Sequence, residues 1–427
     1  MQFRSEKLTI GRVLHGLYNH LVYKHYKTAE PYLYRLYQSR KIIKIRKKEK
    51  IRVLFIIAEL SAWKTEALYL KMLSNPRFVP ILGITESQEV PGSKEPLEAY
   101  LKSKGYSYVD LDMSNNSIEK IEPDIKLYYK PYQYSYRPGL FFNNHMRSLV
   151  CHISYGFTQG GTPLSFYHSI WRYSWKAFVE NELVVETAKS IGGIYTDNML
   201  VTGIPMQDQL ICNEAAYHNP WRSCGNKKKI IYAPHHSLKG TNGNFIEYST
   251  FLEFGDLILS LAKKYSDKTQ WAFKPHPTLY SKLVKIWGKE KTASYYEEWT
   301  NLENSQLELG EYVGLFKHSD AMIHDCASFM VEYMFTGNPV LYLEESTQTA
   351  EQLKLGSFGY EAYKCHYHGT CKEQIERFIN DVITDIDTKK SQRQNFYNEY
   401  LIPPHGQSAS DNIIEAILGV GNYKTVR

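Results

Sequence analysis

Three short stretches of this chain place residue types that bind phosphate directly after apolar segments that favour β-strands. They are "APHHS" at 233–237, "KPHP" at 274–277 and "HDCAS" at 324–328. The carboxyl ends of parallel strands lie along one edge of a sheet, and open α/β sheets bind their ligands there. We therefore expect six side chains to share one site: His235, His236, Lys274, His276, Asp325 and Ser328.

A pyrophosphate is the ligand that these residue types suit. Lys274 and protonated imidazoles match its negative charge. Ser328 stands at the predicted start of a helix, where a hydroxyl and free backbone N–H groups bind anions. Taken singly, a serine at this position is commonly only a helix cap, and a histidine is commonly a structural residue. Their occurrence together after three strands favours phosphate binding.

Two successive alternations of strands and helices are predicted to position this site. The first begins with "IRVLFIIA" at 51–58, and the second begins with "IIYAPHH" at 230–236. This order is typical of an α/β fold with two Rossmann-like parallel-sheet domains that face each other across a cleft. The predicted parts are a basic amphipathic, helical N-terminal segment (1–50), a first domain (51–212), a linker (213–229) and a second domain (230–427).

The first 50 residues are strongly basic. They carry 13 Lys or Arg and three Glu, a net charge of +10, whereas the whole chain has a net charge of +6. Before the basic run at 40–50, six apolar residues recur at helical spacing: Ile10, Val13, Leu14, Leu17, Tyr18 and Leu21. This pattern suits a helix on an anionic membrane surface, and it suits equally a helix packed on its own domain. The rest of the chain has no matching basic face, which disfavours nucleic acid as a partner.

The composition indicates a folded protein with reduced cysteines. Six cysteines are spread over 427 residues, and no secretory signal peptide is recognisable. No apolar run approaches the roughly 20 residues of a membrane-spanning helix. We expect a cytoplasmic protein, peripheral at the inner face of the cell membrane through its N-terminal segment. The sequence has neither a Walker-type loop nor a Gly-x-Gly-x-x-Gly fingerprint, which disfavours kinase and dehydrogenase functions.

Several motifs of the chain resemble those of the CDP-glycerol glycerophosphotransferases, the teichoic-acid-type and capsule-type polyol-phosphate transferases. "KPHP" followed by "SDAMIHDCASFMVE" at 319–332 is similar to this family's basic residue–x–His–Pro, Ser-Asp and Asp-Tyr-Ser-Ser pattern. "VTGIPMQD" at 201–208 is similar to its Gly-x-Pro-Arg-x-Asp motif. The matching residues are Lys274, His276, Pro277, Ser319, Asp320, Asp325, Ser328, Glu332, Gly203, Pro205 and Asp208.

The resemblance covers about residues 51–420. It implies an enzyme of GT-B architecture, whose second domain holds a CDP-activated donor without a metal or other cofactor. The reaction would move glycerol phosphate, or a related polyol phosphate, to a hydroxyl of a cell-surface glycan, a lipid-linked acceptor, or a teichoic-acid-like or capsule precursor, with release of CMP. The donor-binding residues would be His235, His236, Lys274, His276, Asp325, Ser328 and Glu332. Lys274 and His276 would also stabilise the leaving CMP.

The chain departs from the family pattern at residues expected to take part in catalysis. The family's His-Gly-Thr-Pro-Leu-Lys motif supplies a catalytic histidine, and it corresponds here to "GGTPLS" at 160–165. Gly160 and Ser165 therefore stand at the places of that histidine and of the lysine. In the second domain Cys326 and Ala327 replace the Tyr-Ser of the Asp-Tyr-Ser-Ser motif, and Met206 replaces an arginine.

We predict that His152 deprotonates the acceptor hydroxyl in place of the missing histidine. It ends a predicted strand a few residues before the altered motif, and an imidazole with a pKa near neutrality suits a general base. His145 and His168 are weaker candidates, and His152 could instead be a structural residue.

Two other functions remain open. A GT-B glycosyltransferase that uses a nucleotide sugar would need the same pyrophosphate site. A catalytically inactive scaffold in polysaccharide assembly would account for Gly160 and Ser165.

Two further groups of residues could in principle bind metal. Asp110 and Asp112 spell an Asp-x-Asp motif, but they follow a strand of the first domain. The spacing of Cys365, His366, His368 and Cys371 is too compressed for a familiar closed zinc site. We predict no metal role for either group.

Overall fold

Two parallel β-sheets form the framework of the protein. The computed structural model describes residues 30–142, 147–213, 217–222, 225–240, 247–345 and 352–420, with side chains from residue 37 onward. The strands of the first sheet are β1 (Ile51–Ile57), β2 (Phe78–Ile84), β3 (Tyr108–Asp110), β4 (Ile125–Tyr128), β5 (Leu149–Ile153), β6 (Lys176–Val179) and β7 (Met199–Val201). The strands of the second sheet are β8 (Lys228–Ala233), β9 (Thr269–Phe273), β10 (Ser305–Leu307), β11 (Ala321–His324), β12 (Val340–Leu343) and β13 (Tyr367–Gly369).

Each sheet has the strand order of a Rossmann-like fold. The first is ordered β3-β2-β1-β4-β5-β6-β7, and the second β10-β9-β8-β11-β12-β13. Parallel neighbours need crossover connections, which helices commonly supply. The predicted α/β fold with two Rossmann-like parallel sheets is therefore confirmed. In the second sheet the order reverses between β8 and β11, and such switch points are where these folds bind ligands.

Helices connect the strands and close the chain. Those before the second sheet are α1 (Glu30–Lys47), α2 (Glu66–Ser74), α3 (Lys94–Ser103), α4 (Ile118–Ile121), α5 (Pro163–Phe166), α6 (Ser169–Tyr173), α7 (Glu182–Ile191) and α8 (Pro205–Ile211). Those that follow β8 are α9 (Phe251–Lys264), α10 (Leu279–Trp287), α11 (Lys289–Asn301), α12 (Val313–Lys317), α13 (Ala327–Glu332), α14 (Ser357–Lys364), α15 (Lys372–Ile383), α16 (Lys390–Phe396) and α17 (Ala409–Leu418).

The strands that carry the predicted site are held by an aromatic core. Tyr232 on β8 and Phe273 on β9 are buried and stack with a ring-centroid distance of 5.7 Å. Trp299 of α11 stacks on Phe273 at 5.1 Å. Central parallel strands are covered on both faces, so they need apolar side chains in both directions. This packing fixes the ends of β8 and β9, from which the histidines project.

The contacts of the chain divide it into two compact units. The first unit comprises Met1–Trp63, Met72–Ile153 and His168–Ala177, and the second comprises Lys64–Lys71, Ser154–Tyr167 and Phe178–Arg427. The whole second sheet belongs to the second unit. The domain boundaries that we predict from the sequence stay a prediction.

The helix α1 packs on the first unit through one of its faces. Ile45 is buried, and the Gln38 side-chain amide donates to the Tyr173 carbonyl at 3.1 Å. The ammonium groups of Lys41 and Lys48 lie 3.4 and 2.7 Å from the Asp124 carboxylate. The predicted apolar stripe at 10–21 lies outside the described residues. Within the described part of the chain, no helix combines the length and apolarity needed to cross a membrane.

Candidate functional site

The three predicted stretches meet at one edge of the second sheet. β8 lies between β9 and β11, so the residues that follow these strands are neighbours. The His235 backbone N–H donates to the Asp325 carboxylate at 2.5 Å, which joins the first stretch to the third. The His276 backbone N–H donates to the Pro234 carbonyl at 3.0 Å, which joins the second stretch to the first.

Three histidine rings form a cluster at this edge. The ring centroids of His235 and His236 are 4.3 Å apart, those of His236 and His276 are 4.1 Å apart, and those of His235 and His276 are 5.2 Å apart. Burial, and then the neighbouring positive charges, lowers the pKa of His235 to about 2 and that of His276 to about 3. Burial also lowers the pKa of His236. The rings are therefore neutral at neutral pH, which corrects our expectation that protonated imidazoles face the pyrophosphate.

Lys274 supplies a positive charge beside the histidines. The ammonium group of Lys274 donates to the Gly310 carbonyl at 2.8 Å, which holds the side chain in place. Lys274 is only 7% exposed. Burial lowers the pKa of Lys274, whereas Glu308 and Glu311 act in the opposite direction. A fixed ammonium group at the end of β9 is suited to a phosphate oxygen.

The buried Asp325 connects two parts of the site through hydrogen bonds to its carboxylate. One carboxylate oxygen accepts from the His235 backbone N–H, and the other accepts from the Thr250 backbone N–H at 2.7 Å and from its hydroxyl at 3.1 Å. Burial raises the pKa of Asp325 to about 7. Asp325 thus fixes the loop that carries His235 and the start of α9.

Ser328 and Glu332 lie on the short helix α13. Cys326 is the N-cap of this helix, and the exposed Ser328 follows one residue inside it, with its hydroxyl 2.9 Å from the Cys326 sulfur. Glu332 is buried, and burial raises its pKa to about 7 although Lys64 acts in the opposite direction. The Lys64 ammonium group lies 4.8 Å from the centroid of the Tyr312 ring.

Other residues that match the family motifs hold the fold together. Asp208 caps α17, since its carboxylate accepts from the backbone N–H groups of Ala409 and Ser410 at 2.7 and 2.9 Å. The Asp320 carboxylate accepts from the Lys229 backbone N–H at 2.7 Å, which ties the start of β11 to β8. These two carboxylates therefore have structural contacts of their own.

His152 stands at the carboxyl end of β5, in the first unit. Its side chain is 0% exposed, and its Nδ1 lies 3.0 Å from the Tyr128 carbonyl oxygen. The Trp171 ring packs edge-on against the imidazole at 4.7 Å. Burial lowers the pKa of His152 to about 4, below the neutral value that we expect of a general base. His168 packs on Tyr132, and His145 lies outside the described residues.

The altered motif in the second unit is closely packed. A Cβ atom at Gly160 would lie 2.3 Å from the Ser165 hydroxyl oxygen, so a side chain at residue 160 needs Ser165 to move. A Cβ atom at Gly161 would lie 2.5 Å from the Leu355 carbonyl oxygen. The two departures from the family pattern are thus coupled, because Ser165 occupies the space beside Gly160.

Glu180 is a buried acidic residue that we do not predict from the sequence as part of a site. It follows β6 directly, its carboxylate accepts from the Thr158 backbone N–H, and it is buried. Burial raises its pKa to about 7, and its Oε2 has no hydrogen-bond partner among the described residues. The pattern that singles out the other site residues, a polar group directly after an apolar strand, also holds in "KAFVEN" at 176–181.

We expect that Glu180→Gln stabilises the protein in a pH-dependent way. The pKa of Glu180 is raised from 4.5 to about 7, so the folded state binds the proton more tightly and its stability falls as pH rises from 4.5 to 7. Glutamine carries no such penalty, and we expect the variant to be more stable than the natural protein by about 2–3 kcal/mol at pH 8. Below pH 4 this advantage should vanish.

Urea unfolding of both proteins between pH 4 and pH 8 measures this difference. The exposed Glu186 provides a matched control, since Glu186→Gln should leave the pH dependence unchanged. Equal stability of the Glu180→Gln variant and the natural protein at pH 8 would contradict the raised pKa of the buried carboxyl group.

The two groups for which we predict no metal role make ion pairs and hydrogen bonds within the protein. Lys94 lies 2.6 Å from Asp110 and 3.4 Å from Asp112. His366 is buried with its Nδ1 2.8 Å from the Ala362 carbonyl oxygen, and His368 lies 3.2 Å from the Glu344 carboxylate. Residues of both groups thus make ion pairs or backbone contacts, and the lack of a metal role stays a prediction.

Solved structures of similar fold cover nearly the whole chain. A variant of the wall teichoic acid polymerase TagF is 16% identical, with coverage of 97% of this chain and 98% of that one and a TM-score of 0.57. A TagF variant soaked with CDPG has 16% identity, coverages of 93% and 98% and a TM-score of 0.55. A putative UDP-N-acetylglucosamine 2-epimerase from Listeria monocytogenes has 17% identity, coverages of 87% and 96% and a TM-score of 0.59. At these identities the similarity shows the fold.

The family comparison is more specific than the structural one. No match was found among curated proteins. The model of the CDP-glycerol:poly(glycerophosphate) glycerophosphotransferases matches residues 161–419, which include all of the second sheet and the three stretches of the site. Because this match spans more than half of the chain, the resemblance that the motifs indicate is confirmed, and the chain belongs to the CDP-glycerol:poly(glycerophosphate) glycerophosphotransferase family of enzymes.

Proposed function

We propose that this enzyme transfers glycerol phosphate from CDP-glycerol to a hydroxyl of a teichoic-acid-like or capsule-type glycan precursor. The single observation that carries the proposal is the meeting of Lys274, His276 and Asp325 at the switch point of the second sheet, inside the region that the family model matches. The similarity to a wall teichoic acid polymerase supports the choice of acceptor class.

In the proposed reaction the acceptor oxygen attacks the phosphorus atom that carries glycerol. A new O–P bond forms, the P–O bond to CMP breaks, and its electron pair leaves on the CMP phosphate. The acceptor proton passes to a base, for which we propose His152. Lys274 balances the charge of the pyrophosphate, and it stabilises the charge that develops on CMP, as preorganised donors do in a transition state.

The other predicted donor-binding residues have two kinds of role in this proposal. His235, His236 and His276 face the pyrophosphate as neutral rings. Asp325 orients the loop of His235, and Ser328, being exposed, can contact the donor through its hydroxyl. Glu332 lies about one turn after Ser328 on the same helix, and its carboxyl group interacts electrostatically with Lys64.

A comparison of donors tests the reaction. The full-length protein is incubated with CDP-glycerol, CDP-ribitol or UDP-N-acetylglucosamine and a glycerol-phosphate oligomer, and the released nucleotide is measured. We expect CMP release and oligomer extension with CDP-glycerol. Turnover of the nucleotide sugar alone would contradict the proposal and favour a glycosyltransferase, and donor binding without turnover would favour an inactive scaffold.

We propose in addition that α1 rests on an anionic membrane surface. Gln38, Lys41 and Ile45 recur at helical spacing and face the first unit. The opposite side of the helix carries exposed residues: Arg40, Ile43, Lys44 and Lys47. An exposed basic face that includes an apolar residue, Ile43 being 58% exposed, is suited to a surface of acidic lipids.

Charge removal on this face should weaken vesicle binding. The change is Arg40→Gln with Lys44→Gln and Lys47→Gln, which leaves the packed face of α1 intact. Each basic residue near such a surface contributes roughly fivefold in affinity, so we expect about 100-fold weaker binding to phosphatidylserine vesicles. Co-sedimentation with phosphatidylserine and phosphatidylcholine vesicles measures the effect. A matched triple variant of the exposed Lys268, Lys289 and Lys372 should bind normally, and equal binding by both variants would contradict the proposal.

A further inference from the structure

Three imidazoles of the second unit lie close enough to share one metal ion. His235, His236 and His276 each offer one ring nitrogen, and these nitrogens lie within 4.8 Å of one another. The three residues are partly exposed, so an ion can reach them. Among the residues that the structure describes, no other three His, Cys, Asp or Glu side chains are grouped in this way.

We propose that His235, His236 and His276 bind a divalent transition-metal ion of the Zn²⁺ class, which takes a pyrophosphate oxygen of the donor as its fourth ligand. The inference rests on the proposed function and deepens it, because it names a cofactor for the same donor site. Three imidazoles with one open position form the arrangement of catalytic zinc sites. Imidazole ligands select Zn²⁺ and related ions, whereas Mg²⁺ prefers oxygen ligands.

The groups around the rings are suited to orient them as ligands. Nδ1 of His235 lies 2.7 Å from the Ser237 hydroxyl oxygen, and Nδ1 of His276 lies 3.0 Å from the Thr278 hydroxyl oxygen. When these two nitrogens donate to the hydroxyls, each Nε2 has a free lone pair for the ion, as in the outer contacts of known metal sites. In the structure the backbone N–H groups of Ser237 and Thr278 donate to the same two nitrogens at 3.2 Å, so ion binding through Nε2 requires both rings to change tautomer and to give up these hydrogen bonds.

His236 offers a ring nitrogen that makes no hydrogen bond to the described residues. Its Nδ1 is buried and has no hydrogen-bond partner among the described residues, so no bond breaks when it binds an ion. Zinc–nitrogen distances of about 2.0–2.1 Å place the nitrogens of a tetrahedral site about 3.4 Å apart. A spacing of up to 4.8 Å therefore requires the three rings to move closer together when they bind an ion.

The charges nearby explain why ion and donor should bind together. Lys282 interacts electrostatically with all three histidines, and Lys274 interacts with His276, so these lysines repel a bare cation. The pyrophosphate of CDP-glycerol or CDP brings negative charge that offsets this repulsion. We therefore expect CDP to raise the affinity of the protein for Zn²⁺.

Direct measurement of bound metal tests the site without relying on catalysis. The full-length protein is equilibrated with Zn²⁺ in the presence and absence of CDP, freed of excess ion by gel filtration, and its metal content is measured. We expect about one Zn²⁺ per chain with CDP, and less than a tenth of that in His236→Ala and in His276→Ala. The exposed His218 provides a matched control, and His218→Ala should bind Zn²⁺ normally.

Thermal unfolding of the metal-free proteins shows whether the variants are folded, and His236→Asn provides a second variant if His236→Ala is not. Unchanged metal content in folded His236 and His276 variants, or no Zn²⁺ in the natural protein with CDP, would overturn the proposal. A chelator should also abolish CMP release, and Zn²⁺ should restore it. Transfer that survives chelation refutes the metal and leaves the proposed function intact, whereas specific Zn²⁺ binding without turnover of CDP-glycerol refutes the proposed function alone.

Discussion

Replacing Lys274 by methionine should slow glycerol-phosphate transfer by about 100- to 1,000-fold, the loss that is typical when one preorganised donor to a developing anion is removed. Methionine keeps most of the buried aliphatic stem and removes the ammonium group. That group is held 2.8 Å from the Gly310 carbonyl oxygen, so its position is set before the donor binds. We expect weaker CDP binding together with the slower reaction, because in the proposed reaction Lys274 contacts the pyrophosphate both in the bound donor and in the transition state.

A neighbouring lysine provides the control for this variant. Lys285 lies on α10, a short distance along the chain from Lys274, and it is exposed. Lys285→Met removes the same charge from the second unit and should keep native activity. A folded Lys274→Met protein with a near-native rate would show that another cation binds the pyrophosphate.

His152→Ala should slow transfer by about 100- to 10,000-fold if His152 is the general base that we propose, the range expected for loss of such a group. Donor affinity should change little, since the donor residues belong to the second unit. The pKa of His152 is about 4, so the ring is neutral and able to accept a proton at all higher pH values. The rate of the natural enzyme should therefore fall as pH falls through about 4, and the variant should lack this limb.

The complete burial of His152 makes a structural control necessary. Cys151 is the adjacent buried residue of β5, and Cys151→Ala disturbs the same region without removing a base. We expect both variants to lose stability in thermal unfolding, but only the His152 variant to lose transfer at a temperature where both are folded. Native turnover in His152→Ala with loss in His168→Ala or His145→Ala would place the base elsewhere in this segment.

The positions of the central strands and of several helices are determined by the sequence itself. Apolar runs predict β1, β8 and β11. The sequence also predicts helices at 250–264 and near 279–287, and these correspond to α9 and α10 to within one residue at each end. These elements are predictable because a strand or helix buried against a sheet must carry apolar residues at its own period. The strand order of the sheet brings three of these strand ends together, as the sequence predicts, while the role of their residues in donor binding stays a prediction.

Short or polar elements escape this reasoning. β10 and β13 have three residues each, too few to show a period, and β6 has four residues, the first of which is a lysine. The helix α11 is largely polar, with a buried face formed by residues such as Tyr295 and Trp299 at helical spacing. Their structure depends on sheet edges and aromatic neighbours that are distant in the sequence.

The chemical state of the site residues is decided by the tertiary structure alone. Residue type predicts cationic histidines and a His152 pKa near neutrality, whereas packing leaves the clustered rings neutral and lowers the pKa of the buried His152 to about 4. The sequence predicts that His235, His236 and His276 share a site, but only the fold sets how closely the rings approach, with centroids of His276 4.1 Å from His236 and 5.2 Å from His235. The physical reason is that a pKa depends on the water excluded and the charges gathered around a group. Those surroundings come from strands and loops far apart in the sequence, so no local pattern records them.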